Sequence, residues 1–178
     1  INTHENLNLI HKLGRQGCGY LIKRMDNFNQ LANTCKVLVV IDLDRNESHE
    51  EYVGSITRNI KNPHANLIFS VPKIEIESWL LADKQGISEF LKISEAKLEA
   101  SPETLMDPKS NLINLARKCK NKTAKDGLPP KVGSISRIGL SYNSILTDFV
   151  REHWSIERAF HNSDSLRRTL QLLDGINN

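Results

Sequence analysis

The sequence predicts an α/β fold, a parallel sheet flanked by helices, followed by a C-terminal lobe built from helices. Three observations carry that prediction. Residues 37–41, Val-Leu-Val-Val-Ile, form an unbroken run of branched aliphatic side chains, the pattern of a parallel strand buried on both faces. Strand-like and helix-like stretches alternate up to about residue 71, which is the βαβ rhythm. Beyond Val71 helical spacings replace strand patterns.

Taken in order, residues 7–13 alternate apolar and polar and read as a first strand, running into Gly14-Arg15-Gln16-Gly17-Cys18-Gly19. Ile22, Met25, Phe28 and Leu31 or Ala32 recur at helical spacing and predict one amphipathic helix over 20–33. The strand over 37–41 follows, then a helix over 47–60 with Tyr52, Val53, Ile56 and Ile60 on its inner face. Asn62-Pro63-His64 breaks that helix, and a third strand covers 66–71. Right-handed crossovers keep such strands parallel.

In the second half, Ile76, Trp79 and Leu80 mark a short helix, with Trp79 read as core, and residues 88–91 extend it past Gly86. Asp107-Pro108 is a helix start, an acid at the N-cap and proline in the first turn. Gly127-Leu128-Pro129-Pro130 reads as a loop. Ile145, Leu146, Phe149 and Val150 mark a further helix. Ser163 caps a last one over 164–173, stopped by Gly175. The expected division is an α/β core over 1–83 and a helical lobe over 84–178 packed on it.

The 178 residues suit one compact unit, with 25% charged and 39% hydrophobic side chains and a net charge of +3. No apolar stretch approaches the roughly 18–20 residues that cross a bilayer. The polar first ten residues lack the apolar region of a signal peptide. Cys18, Cys35 and Cys119 are far apart and form no Cys-x-x-Cys pair, which fits a reducing cytoplasm rather than a disulfide framework or zinc site. The scattered histidines read as surface or satisfied core residues.

Two acidic motifs could carry chemistry. Asp42 and Asp44 follow the central strand at its carboxyl end, where open α/β sheets place their ligands. Strand alternation sends residues i and i+2 to one side, so both carboxylates can enter one pocket. Close carboxylates raise each other's pKa unless a cation lies between them, and a hard divalent ion such as Mg²⁺, or Mn²⁺, suits them. A strand entering an acidic turn would carry the same residues. The second motif is Lys73-Ile-Glu-Ile-Glu-Ser-Trp-Leu-Leu-Ala-Asp83, one strand over. On a helix Glu75 and Glu77 would lie about 200° apart, so one is expected to face the site and the other to face away, with Glu77 first choice and Glu75 in reserve. Both could instead simply decorate a helix start.

A basic stretch follows. Lys109, Arg117, Lys118, Lys120, Lys122, Lys125, Lys131 and Arg137 face the single acid Asp126 within residues 109–137. Basic runs with few aromatics hold phosphate backbones without reading bases. A solvated face at a helix end has the same composition. Lys109, Lys118, Lys120 and Lys122 are the candidate nucleic-acid contacts.

Asp42-x-Asp44 after an apolar strand resembles the Asp-x-Asp motif of Toprim domains, found in topoisomerases, primases and overcoming-lysogenization-defect nucleases. The ordered set VLVVIDLD, IEIESWLLAD and DPKSNLINLARK is similar to a Toprim-like family encoded in bacterial defence loci, over about Gly14 to Leu173. The resemblance implies a Toprim-like sheet and a cytoplasmic, Mg²⁺-dependent nuclease of antiviral defence. It implies that Asp42, Asp44 and Glu77 are catalytic metal ligands acting on nucleic acid, preferentially DNA. Toprim domains also carry a Glu-Gly on their first strand, and this chain has none; Glu5 follows no apolar strand. Either that strand lies upstream of Ile1, or the chain is an interaction subunit docking on a partner ATPase of the ABC or structural-maintenance type.

Overall fold

A computed structural model describes residues 18–42, 48–58 and 60–174. The expected strand over 7–13, Glu5 and Asp44 lie outside the described residues. Within them the protein is a mixed α/β structure with a two-stranded parallel sheet flanked by helices. Strand β1 (Val37–Val40) pairs in parallel with β2 (Leu67–Ser70), in the register Val37 to Leu67 through Val40 to Ser70. The two strands are therefore each shorter than read from sequence, and a third is not among the described residues.

The region expected to be one helix over 20–33 is two, α1 (Cys18–Lys23) and α2 (Met25–Leu31). Arg24 between them, at φ −112° and ψ 11°, leaves helical geometry. Helix α3 (His49–Thr57) connects β1 to β2. It starts at a capping box, in which Ser48 Oγ accepts from Glu51 N–H while the Glu51 carboxylate accepts from Ser48 N–H. Met25, Phe28, Tyr52 and Ile56 pack on Val39, Ile41, Leu67 and Val71, which forms the core of this part.

The expectation that β1 is buried on both faces is corrected. Leu38 and Val40 are 44% and 39% exposed, whereas Val39 is buried. The register puts Leu38 and Val40 on the same sheet face as Ile68 and Ser70. Helix α10 (Asp164–Asp174) covers that face over β2, where Ser70 Oγ and Thr169 Oγ1 share a 2.8 Å hydrogen bond. Its cover does not extend across β1.

The remaining helices are α4 (Glu77–Ala82), α5 (Lys84–Leu91), α6 (Pro108–Arg117), α7 (Lys122–Gly127), α8 (Tyr142–Glu152) and α9 (Ile156–Phe160). Leu81, Ile87, Leu91, Leu112, Leu128, Ile145 and Phe149 form the core shared by all of these but α9, whose Ala159 packs with Trp79, Ala82 and Leu166. Asp107 caps α6 by accepting from Ser110 N–H at 2.8 Å, with proline in the first turn as expected. Ser163 caps α10 by accepting from Leu166 N–H at 3.1 Å. Helices α7 and α9 are not foreseen by the sequence pattern. Both are a turn or two long and carry too few apolar positions for a period to register.

Two buried carboxylates tie these helices together. Asp83, fully buried, takes the Arg158 guanidinium on both oxygens at 2.6 and 2.8 Å, and also accepts from the N–H groups of Gly86 and Ser155. Glu103 sits at the start of α10, accepting from Ser163 Oγ at 2.7 Å and from the N–H groups of Asp164 and Ser165. Trp79 is buried and donates its indole N–H to Ser165 Oγ at 2.7 Å, as a core residue does. Among the described residues, no helix is long and apolar enough to cross a membrane.

Candidate functional site

Because β1 and β2 run parallel, the segments leaving them emerge at one end of the sheet. Asp42 leaves β1 there. Its Oδ1 accepts from Ile76 N–H at 3.0 Å, tying the end of one strand to the segment that follows the other.

That segment takes an unusual path. Glu75 N–H donates to Lys73 carbonyl oxygen at 3.0 Å around Ile74, whose φ is +71°. A bond to the second residue back across a positive φ is a γ-turn, and for a β-branched residue it is strained by about 1–3 kcal/mol. The turn postpones the start of α4 to Glu77, so Glu75 precedes the helix. The expectation that Glu75 and Glu77 must diverge is thereby corrected, since the helical angle between them does not apply.

Both glutamates reach Lys109 in the first turn of α6. Glu75 Oε1 accepts from Lys109 Nζ at 3.1 Å and its Oε2 from Lys109 N–H at 3.0 Å. Glu77 Oε1 lies 3.4 Å from the same ammonium and accepts from the Tyr142 hydroxyl at 2.8 Å. Glu77 is 3% exposed, and its Oε2 is buried without a hydrogen-bond partner among the described residues. A buried carboxylate oxygen left in this state is costly unless something fills the space before it.

The electrostatics agree with a crowded acidic site. Asp42 is exposed as a residue, yet loss of hydration around its carboxyl raises its pKa, and the charge of Glu77 raises it further. Burial works to lower the Lys109 pKa, but the charges of Glu77 and Glu75 outweigh it and push it up, so Lys109 is an ammonium at neutral pH. Burial and then the Glu77 charge push the Tyr142 phenol upward as well, which keeps it a donor.

Glu75 and Glu77 thus meet at Lys109, which joins them rather than the other basic residues, and Asp42 is tied to the same segment through Ile76 N–H. Lys118, Lys120 and Lys122 lie beyond the far end of α6. Nine residues of helix put Lys118 about 13 Å from Lys109. Among the described residues, no three histidine, cysteine, aspartate or glutamate side chains are arranged to hold a metal. The oxygens of Glu75 are occupied by Lys109, which leaves Glu77 Oε2 and the second oxygen of Asp42 as the acceptors best placed for a hard cation. The role of Tyr142 was not legible in sequence: it stands 65 residues from Glu77 and carries no local motif.

No family model, curated protein or solved structure matches the chain.

Proposed function

We propose that the chain is a Toprim-like, Mg²⁺- or Mn²⁺-dependent nuclease that cleaves nucleic-acid phosphodiesters, DNA above RNA, in the cytoplasm as part of antiviral defence. The observation that carries this reading is the tie between Asp42 and the segment leading into Glu77, made through Ile76 N–H at one end of two parallel strands, with Glu77 Oε2 buried and unpartnered among the described residues. The residues fit a hard cation: the available donors are carboxylate oxygens, and positive charge there would relieve the raised pKa of Asp42. Asp42, Asp44 and Glu77 would hold it, with Glu75 in reserve. When bound, such an ion supplies Lewis acidity to the phosphoryl oxygens and charge to the departing one.

The chain's own groups do the positioning. Tyr142 and Lys109 both engage Glu77 Oε1, which anchors that oxygen and leaves the buried Oε2 as the acceptor without a hydrogen bond among the described residues. Ile76 N–H holds Asp42 in the same manner through one oxygen. Lys109 also orients Glu75 through a two-point contact.

A second reading has its own observation. The Lys109 ammonium already lies among the carboxylates, where a degenerate site would keep a permanent internal counter-ion. In that case the chain is an interaction subunit for an ABC-type or structural-maintenance ATPase.

Nicking and cleavage assays with Mg²⁺, Mn²⁺ and chelator decide between them. Asp42→Ala and Glu77→Gln should each abolish cleavage while leaving DNA binding intact. Wild-type protein that neither cleaves nor is stabilised by Mg²⁺ in thermal melts sinks the nuclease reading.

A further inference from the structure

We propose that the cavity between α6 and the segment ending at Arg137 binds the phosphodiester backbone of nucleic acid, with Arg117 and Arg137 holding the phosphates. The cavity is a groove open to the surface, of about 400 Å³, lined by Ser110, Ile113, Asn114, Arg117, Pro130 and Arg137. Ser110, Ile113, Asn114 and Arg117 recur three and four residues apart, so they form one stripe of α6. Arg137 is brought to the same cavity from 20 residues further along the chain.

Each guanidinium is oriented by a neighbour. Arg117 donates one N–H to Asn114 Oδ1 at 2.9 Å. Arg137 donates to Asp107 Oδ2 at 2.7 Å, and the other oxygen of Asp107 caps α6. A guanidinium carries five donors, so a single such bond sets its direction and leaves a fork for a phosphate. Asp107 offsets part of the charge on Arg137, but among the described residues no acidic side chain lines the cavity, which stays net positive.

The lining also defines the ligand class. Among the described residues it contains no aromatic ring on which a base could stack, and its polar groups include hydrogen-bond donors of the kind that meet phosphate oxygens. Contacts of this type are independent of base sequence. Placement points the same way. The helix that carries Arg117 starts with Pro108 and Lys109, and Lys109 bonds Glu75 and Glu77. Lys118, Lys120 and Lys122 continue from its other end. A strand laid along α6, which is about 15 Å long, would pass the lysines, be gripped at the two arginines and reach the carboxylates. The choice of nucleic acid as ligand rests on the proposed function, whereas the two-guanidinium cavity does not.

The test is fluorescence anisotropy with labelled duplex DNA, single-stranded DNA and RNA, in chelator and across a salt series. Arg117→Gln/Arg137→Gln should weaken binding tenfold or more, with the slope of log affinity against log salt falling by about 2, near 0.9 for each phosphate no longer neutralised. Arg117→Lys/Arg137→Lys should keep the slope but bind several-fold more weakly, because lysine is a point charge without a fork. Melting temperatures of both variants should match wild type, since exposed ion pairs contribute little. Wild-type affinity and slope in the glutamine variant overturn the inference, as does a wild type that binds none of the three probes. Inorganic phosphate that displaces DNA at equal phosphate concentration would mark a site for free phosphate and overturn it too. The two proposals fail separately. Cleavage with normal binding by the glutamine variant removes this site alone, whereas arginine-dependent binding without any cleavage removes the nuclease reading alone.

Discussion

Tyr142 donates its hydroxyl to Glu77 Oε1 across 2.8 Å, which joins the first residue of α8 to the first residue of α4 inside the protein. Tyr142 is 2% exposed and Glu77 is 3% exposed, so water does not readily replace either partner. The bond links the helical part of the fold to the acidic end of the sheet.

Tyr142→Phe is therefore expected to destabilise the protein by about 2 kcal/mol, the scale of a hydrogen bond to a charged group. Urea unfolding should show a lower midpoint at unchanged slope. A variant as stable as wild type would mean that Lys109 alone satisfies Glu77 Oε1.

The raised pKa of Asp42 sets the sign of a pH effect. Its folded value lies above the unfolded value of about 3.9, so between the two the folded state binds more protons and stability falls as pH rises. Asp42→Asn should then raise stability at pH 7, by at most about 1 kcal/mol given the exposure of the residue. That gain should vanish below pH 4, approximately the unfolded pKa. Asparagine can still accept from Ile76 N–H, which isolates charge from hydrogen bonding. Melting curves from pH 3 to pH 8 (roughly the span that brackets the unfolded value) check it, and a variant less stable than wild type at pH 7 contradicts it.

Asp83 has the opposite sign. Burial alone would raise its pKa, but the Arg158 fork and the N–H groups of Gly86 and Ser155 outweigh burial and lower it. The stability from this contact is complete above the unfolded value of about 3.9 and is lost as pH falls toward the lower folded value. Arg158→Ala should cost about 2 kcal/mol at neutral pH, below the 3–5 kcal/mol typical of a fully buried pair, because the guanidinium is 38% exposed. The penalty should shrink on acidification. An Arg158→Ala penalty that is constant down to pH 2, about two units below the unfolded value, would rule this out.

Gly86 lies in α5, where alanine would ordinarily add about 1 kcal/mol through helix propensity. Here a methyl group would collide with Asp83 Oδ2 and stand 2.9 Å from the His153 carbonyl oxygen. Displacing a carboxylate that holds a guanidinium and two N–H groups outweighs propensity. Gly86→Ala should lose about 2–4 kcal/mol net, read as a drop in the urea midpoint. Any stabilisation would show that Asp83 moves without cost.

Features confined to neighbouring residues are legible in the sequence itself. The parallel strands around Val39 and Ile68, the Asp107-Pro108 helix start and the Ser163 cap are each written in adjacent positions: an apolar run, a capping acid before proline, a hydroxyl before a helix. The break at Arg24 and the two short helices were not legible, since a single turn carries no period. Burial of β1 was overestimated because an apolar sequence records what a strand tolerates, while its neighbours decide what is covered. At the candidate site, the acids could be named from their motifs. Their convergence depended on a γ-turn at Ile74 that no residue preference foretells. Lys109 and Tyr142 reach Glu77 from 32 and 65 residues away. Such contacts are made by helix packing, and packing is a property of the whole fold.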